Sequence, residues 1–333
     1  MSASVSFEPT TLSASELQLQ ADVRSFLQEE YPGGRLEHYF DDHGGHDRGF
    51  SRKLAERGWI GMALPKRYGG QERGAVERFI VAEELIRWGA PCGFHWVADR
   101  QSAQNIVRFG TEEQKQRFLP AISAGELSFS IGMSEPDAGS DLASVRTKAT
   151  RVPGGWSITG TKVWTTSAHE NDWFIALCRT AQEEDRHQGL TQFLIDLRSP
   201  GLEVHPIPFL DGTFHFNEVV LNEVFVPDDL VLGEVGHGWE QTGSELSYER
   251  SGPERWLSTY AVLESLLSSG PGLSQTGVEV VGSLVARYWG IRNLSLCVAR
   301  MIDRGQAPAV HAALVKDMGT RFEQEVLLRI QQI

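Results

Sequence analysis

The sequence of 333 residues contains only three cysteines, Cys92, Cys178 and Cys297, and they lie far apart. Because none of them forms a Cys-x-x-Cys pair, the sequence predicts neither a zinc site nor a disulfide framework. The ten histidines also lack the His-Glu-x-x-His spacing of helical zinc sites. We therefore expect no bound metal, and reduced cysteines packed in the core of a cytoplasmic protein.

Signals for nucleic-acid, membrane and common nucleotide binding are also missing. The formal net charge is −13 and the basic residues are scattered, which argues against a nucleic-acid partner and against anionic membrane surfaces. No apolar run approaches the ~18 residues of a membrane span, and the first residues lack the pattern of a signal peptide. The motifs G-x-G-x-x-G and G-x-x-x-x-G-K are absent. A phosphorylated cofactor is not excluded, because local donors and a helix N-terminus can bind phosphate.

The hydrophobic periodicity divides the chain into three blocks. Residues 1–127 have helical spacing, with capping boxes at Ser13–Glu16 and Thr111–Gln114. In residues 128–233 the period changes to two, as in β-strands, and in residues 234–333 helical spacing returns. This order excludes the alternating pattern of a doubly wound fold and predicts an α+β protein. The last helical segment ends on Gln-Gln-Ile without a cap, so we expect a C-terminally truncated chain.

Strands are predicted in the middle block from apolar alternation and from one continuous apolar run, bounded by Gly, Pro and Asp clusters. The candidates are residues 156–160, 173–178, 191–197, 202–207 and 217–226. The stretch Phe129–Trp173 begins with a turn-rich segment of short polar residues and continues with Trp and Thr at strand spacing. Such a loop offers backbone N–H groups and hydroxyls to a ligand, and such a strand offers an aromatic face.

Four runs, in this order along the chain, resemble the acyl-CoA dehydrogenases. They are W-I-G-M-A-L-P-K-R-Y-G-G at Trp59–Gly70, G-T-E-E-Q-K-Q-R-F-L-P at Gly110–Pro120, M-S-E-P-D-A-G-S-D at Met133–Asp141 and K-V-W-T-T-S at Lys162–Ser167. The resemblance covers nearly the whole chain. It implies FAD-dependent α,β-dehydrogenation of an acyl-CoA thioester in lipid metabolism, with hydride passing to flavin N5. It also implies an oligomeric protein and an electron-transfer flavoprotein as acceptor.

The resemblance also implies a fold of three domains. These are an N-terminal helical domain in residues 1–127, a middle β-barrel-like domain in residues 128–233 and an incomplete C-terminal helical bundle in residues 234–333. FAD would lie between the β domain and the C-terminal helices.

Seven residues match the family's flavin contacts: Met133, Ser134, Gly139, Ser140, Trp164, Thr165 and Thr166. The first two would donate to the flavin pyrimidine, and the Gly-Ser pair would contact the pyrophosphate, with Ser140 also contacting the acyl-CoA. The strand residues would pack on the isoalloxazine, with Thr166 donating toward N5. Donors at this edge and an aromatic face that excludes water suit a reduced, anionic flavin. The alternative interpretation is an ordinary loop and a core tryptophan.

The family's catalytic base is a glutamate, and in some members it begins the last domain and precedes an arginine. The run S-Y-E-R at residues 247–250 matches this pattern, so the resemblance implies Glu249 as the base that abstracts the α-proton. It implies Arg250 as a positioning cation and Tyr248 in the acyl pocket. Glu254 is a rival carboxylate, but it lies three residues after Ser251, at capping-box spacing. A third alternative is that this chain carries no base.

The residues 268–280 depart from the family pattern, because they lack the Arg followed by Phe-Gly that reaches the flavin pyrophosphate of a neighbouring subunit. This departure resembles members that work as paired unlike subunits or as a smaller dimer. The alternatives are therefore a non-catalytic partner subunit of a heteromeric dehydrogenase, or an acyl-CoA oxidase, nitroalkane oxidase or flavin monooxygenase of the same fold. We interpret His95 and His215 as packed core histidines.

Overall fold

The computed structural model describes residues 5–33, 45–249, 251–268 and 272–333, and for residues 244–249 it describes only the backbone. The α-helices in these ranges are, in chain order, α1 (Ala14–Glu30), α2 (Arg48–Glu56), α3 (Ala75–Trp88), α4 (Gly93–Val97), α5 (Ala103–Phe109), α6 (Glu112–Ser123), α7 (Gly238–Glu249), α8 (Tyr260–Ser268), α9 (Gln275–Asp303) and α10 (Ala309–Ile330). The strands are β1 (Phe129–Gly132), β2 (Lys148–Val152), β3 (Gly155–Thr166), β4 (Trp173–Arg179), β5 (Leu190–Asp196), β6 (Leu202–Pro206), β7 (Phe216–Pro227) and β8 (Val231–Leu232). The predicted order of helices, then strands, then helices is confirmed.

The chain forms two compact units, and each combines distant segments. The first unit comprises Met1–Gly45, Arg73–Cys92 and Ser247–Ile333, and the second comprises His46–Glu72 and Gly93–Leu246. The three-domain division of the sequence stays a prediction.

The first unit is helical, and its first helix begins as the sequence predicts. The Ser13 side chain accepts from the backbone N–H of Glu16, and the Glu16 carboxylate accepts from the backbone N–H of Ser13. This reciprocal cap satisfies N–H groups that a helix start otherwise leaves without partners. Arg300 of α9 forms an ion pair with the Glu16 carboxylate, with 2.6 Å between Nη1 and Oε1. The cap therefore also joins α1 to α9.

Helix α6 of the second unit carries the other predicted capping box. The side chain of Thr111 accepts from the backbone N–H of Gln114, and the Gln114 side chain accepts from Thr111 N–H. The Gln114 side-chain amide also donates to the carbonyl oxygens of Asp229 and Val231, at 2.8 Å each. One residue therefore caps the helix and ties it to the chain around β8.

A mixed sheet forms the core of the second unit. Its strand order is β6-β7-β3-β2-β4-β5-β8, and β1 pairs with β4 in parallel. The strand candidates of the sequence correspond to β3 to β7. The interior residues of β4, Phe174–Cys178, are all buried, as the continuous apolar run predicts. The observed helices and sheet confirm the predicted α+β class.

Within the described ranges, no helix is both long enough and apolar enough to cross a membrane.

Candidate active site

Two segments from the stretch singled out in the sequence lie side by side in the second unit. The backbone N–H of Val163 in β3 donates to the carbonyl of Ser134, at 3.0 Å. The Lys162 ammonium donates to the carbonyl of Met133, at 3.1 Å. The structure thus brings the loop after β1 against the end of β3, next to Trp164.

Gly132 allows the chain to approach the sheet this closely. It is the last residue of β1, and a β-carbon at this position would overlap the ring of Phe174 in β4. Any larger residue would push the loop away from the sheet, because such close approach needs a residue without a side chain. Gly132 therefore helps to place Met133 beside β3.

Trp164 occupies a β-bulge. The register between β3 and β7 shifts between Lys162 and Thr165, and Trp164 between them has a φ of 61°. This left-handed conformation costs an L-residue roughly 1–2 kcal/mol. The indole is 57% exposed and meets Phe216 edge to face, with ring centroids 5.9 Å apart. The strained backbone therefore presents a large aromatic face outward. Bulges and strained residues of this kind are found preferentially at ligand sites.

Side chains behind the bulge hold its far end in place. The Asn217 amide donates to the carbonyl of Thr165 at 2.9 Å, and the Ser130 hydroxyl donates to the carbonyl of Thr166 at 2.8 Å. Asn171 in turn donates to the Ser130 oxygen at 2.8 Å. A bulge interrupts the strand ladder, so these side chains supply partners to the carbonyls next to it.

Gly139 and Ser140 lie at an open turn. Glu135 and Ala138 exchange backbone hydrogen bonds of 2.8 and 3.1 Å, and this tight turn leads directly to the two exposed residues. A β-carbon at Gly139 would meet nothing within 4 Å. The turn therefore leaves its backbone accessible to a ligand such as a phosphate group.

A buried ion pair, which the sequence motifs did not assign to the site, lies beneath the two segments. Lys162 Nζ lies 2.8 Å from the Glu135 carboxylate. Burial lowers the pKa of Lys162. Burial also raises the pKa of Glu135, but Lys162 and the hydrogen bonds that the carboxylate accepts outweigh this and lower it. The sequence carried no direct signal for the pair, because a lysine at a polar position of a strand is expected to face water.

The predicted base and its neighbours fall outside what the structure describes in full. Glu249 is the last residue of α7, but its side chain and that of Tyr248 lie outside the described residues, and Arg250 does so entirely. Their roles stay predictions.

The capping box proposed for Ser251 and Glu254 is wrong. The short 3₁₀ turn Pro253–Arg255 begins one residue later, with Gly252 as N-cap and no side-chain cap bond. Glu254 is instead buried, with its carboxylate against the Gly252 backbone.

His95 packs in the core as predicted, whereas His215 is only half-buried, so the prediction of a core residue is wrong for His215. His95 is buried, and its Nδ1 lies 2.8 Å from the Ser51 hydroxyl. Burial and the nearby Arg100 cation lower the pKa of His95 to about 3, so the ring stays neutral. The His215 ring packs against Phe209 and Phe216, with centroid distances of 4.8 and 4.2 Å.

The residues of this site fit a flavin. Trp164 offers an exposed flat face, the half-buried Met133–Ser134 segment lies next to it, and the turn at Gly139 is open. An extended cofactor with an aromatic ring at one end and phosphates at the other needs these three features.

Two family models match the chain: acyl-CoA dehydrogenase, N-terminal domain, over residues 13–126, and acyl-CoA dehydrogenase, middle domain, over residues 130–224. The chain is 35% identical to acyl-CoA dehydrogenase FadE29 of Mycobacterium tuberculosis over 272 residues, which is 80% of this chain and 70% of that protein. It is 34% identical to FadE34 of the same organism over 296 residues, 84% of this chain but only 39% of FadE34.

Among solved structures, the chain resembles one described as the Tcur3481-Tcur3483 steroid ACAD. The TM-score is 0.87 and the identity 26%, with 96% of this chain and 84% of that chain covered. Matches to both domain models, identity of about a third over most of the chain and the same fold agree with the motifs and the site geometry. The chain therefore belongs to the acyl-CoA dehydrogenase family.

Proposed function

We propose that this chain catalyses FAD-dependent α,β-dehydrogenation of an acyl-CoA thioester, with Glu249 as the base. The observation that carries the proposal is the exposed, strained Trp164 beside the Met133–Ser134 segment. A buried core tryptophan, the alternative interpretation, would not be 57% exposed in a left-handed conformation. Family membership supports the chemistry.

The reaction removes a proton from the carbon α to the thioester and a hydride from the β carbon. Bound FAD supplies the hydride acceptor. Glu249 takes the α-proton, and Arg250 orients its carboxylate. Trp164 would cover one face of the ring and exclude water there. Thr165 and Thr166 would extend this strand edge, and the Thr166 hydroxyl would donate a hydrogen bond toward N5.

The remaining residues position the ligands. The backbone N–H of Met133 and the hydroxyl of Ser134 would donate to the pyrimidine edge of the cofactor. Gly139 and Ser140 bind phosphate oxygens, because an open turn lets backbone N–H groups approach an anion. Ser140 also contacts the acyl-CoA, and Tyr248 lines the pocket for the acyl chain.

We further propose a bulky polycyclic acyl chain as substrate and a related chain as partner. The similar solved structure is described as a steroid ACAD, and its name pairs two proteins, Tcur3481 and Tcur3483. The absence of Arg followed by Phe-Gly from residues 268–280 also favours a mate that completes the cofactor site. The physiological acceptor we propose is an electron-transfer flavoprotein.

The same sequence departure favours a second candidate, a partner subunit that stabilises an active mate without turning over substrate itself. Purification distinguishes the two. A chain that binds FAD and is reduced by acyl-CoA is a dehydrogenase, whereas a chain that stays colourless but activates a related subunit is the partner.

The test of the proposal is anaerobic bleaching of the flavin by a panel of acyl-CoA thioesters, including steroid-type ones. General-base catalysis contributes typically 10²–10⁴-fold, so Glu249→Gln should slow bleaching by about that factor. Glu240→Gln is the matched control, because Glu240 is an exposed glutamate in the first turn of the same helix. Bleaching of Glu249→Gln at the wild-type rate would show that Glu249 is not the base.

A further inference from the structure

Lys162 is the most deeply buried charged side chain next to the proposed flavin site. Its side chain is 0% exposed, although lysine is almost never fully buried unless it is paired. The ammonium group donates to two acceptors, the Met133 carbonyl at 3.1 Å and the Glu135 carboxylate at 2.8 Å. Both acceptors belong to the loop after β1, whereas Lys162 belongs to β3. A single side chain therefore ties that loop to that strand.

Glu135 extends this link to a third segment. Its carboxylate also accepts from the backbone N–H groups of Arg146 and Thr147, at 2.6 and 2.8 Å. These two residues immediately precede β2. The carboxylate thus receives three donors, which is enough to offset much of the cost of burying its charge. The pair therefore fixes the loop after β1 both to the start of β2 and to β3, from inside the unit.

Stability alone does not account for this arrangement. Replacing a buried ion pair by apolar residues of similar volume is often neutral or stabilising. The neighbouring thiol of Cys178 does not compete for a charge, because burial raises its pKa to about 12. What the ion pair provides, and an apolar pair would not, is a directional bond to the Met133 carbonyl.

We propose that Lys162, paired with Glu135, is a positioning residue that holds the Met133–Ser134 backbone against β3 and so sets the geometry of the FAD contacts. This inference rests on the proposed function in one respect, the identity of the ligand as FAD. The positioning itself is a property of the chain and can be measured without the cofactor.

The experiment compares wild type with Lys162→Met, which has a similar length but no charge, and with Lys148→Met as control. Lys148 is exposed in β2 of the same sheet. Hydrogen exchange of the FAD-free protein is expected to become at least tenfold faster at the amides of Arg146, Thr147 and Val163 in Lys162→Met. The exchange rates of amides in the middle of β3, at residues 156–158, should change less than about threefold. A general loss of stability would instead raise the exchange rates of these amides as well.

Binding of FAD is the second measurement. The dissociation constant of Lys162→Met should rise about tenfold relative to wild type and to Lys148→Met, which corresponds to roughly 1.4 kcal/mol, and the visible spectrum of the bound flavin should change. If wild type fails to bind FAD even together with the related chain proposed as its partner, the proposed function is wrong, and the exchange data still decide the positioning role. Unchanged exchange rates at the amides of Arg146, Thr147 and Val163 would overturn the positioning role of Lys162.

A second variant covers the case in which Lys162→Met does not fold. Glu135→Gln/Lys162→Met removes both charges, so no unpaired ion stays buried, while the bond to the Met133 carbonyl is still lost. The positioning role predicts the same local increase in exchange and the same weaker FAD binding. Wild-type exchange and affinity in this double variant would also overturn the inference.

Discussion

Replacing Trp164 by glycine should leave the FAD-free protein more stable than replacing it by alanine. Both variants lose the indole and its edge contact with Phe216, so the comparison isolates the backbone. At this position φ is 61°, a conformation that glycine adopts without strain and alanine does not.

The magnitude follows from two opposing terms. The left-handed conformation costs alanine roughly 1–2 kcal/mol relative to glycine. Glycine has more freedom in the unfolded chain, which favours alanine by about 0.4–1 kcal/mol. The net expectation is a glycine variant that is more stable by about 0.5–1 kcal/mol. In an ordinary strand interior the order is reversed, and alanine is favoured by roughly 0.5–1 kcal/mol.

The assay is urea unfolding of the FAD-free variants, followed by circular dichroism and compared at constant m-value. Ser157 in the regular part of β3 provides the control pair, because it is paired with Thr150 on one side and Phe225 on the other. Ser157→Ala should be more stable than Ser157→Gly. If alanine were also the more stable residue at Trp164, the bulge would carry no strain and the account of the site would be wrong.

Two further predictions concern acid stability. His95 has a folded-state pKa of about 3, so below pH ~6.5 the unfolded chain binds a proton that the folded chain does not, and stability falls with pH. Between pH 6.5 and 4 the free energy of unfolding of wild type should fall, and His95→Gln should remove about 3 kcal/mol of that fall. His237→Gln, at an exposed histidine, should not remove it. If His95→Gln and wild type lost stability equally with falling pH, this prediction would be refuted. The hydrogen bond from Arg300 lowers the pKa of Glu16 to about 2. The ionised carboxylate therefore stabilises the folded state fully above pH ~4.5, and this contribution is lost as pH falls toward 2. Glu16→Gln should cost on the order of 3 kcal/mol at pH 7 and almost nothing near pH 2, measured by urea unfolding against Glu29→Gln; a cost that does not depend on pH would contradict the ion-pair account.

Features that depend on neighbouring residues could be predicted from the sequence. The capping boxes of α1 and α6 were found because a cap involves residues three apart. Strand β4 was found because a strand buried on both faces is apolar throughout. The candidate flavin contacts came from motifs whose residues are adjacent in the chain. In each case the information lies within a few residues.

The conformation of Trp164 could not be predicted in this way. The bulge exists because β3 pairs with β7, a strand far along the chain, and the two do not keep one register. The alternation of side chains within β3 carries no sign of that mismatch. Only the pairing decides that the indole is turned outward and that the backbone is strained.

The burial of Lys162 was also decided by tertiary structure. A lysine at a polar position of an alternating strand is expected to face water, but here the loop with Glu135 folds over it and supplies the counter-charge. The sequence by itself determined the order of elements, and its motifs predicted the family and the candidate residues of the site. Tertiary structure determined which of those residues are strained, buried or in contact, because these properties depend on partners that are distant in the chain and close in space.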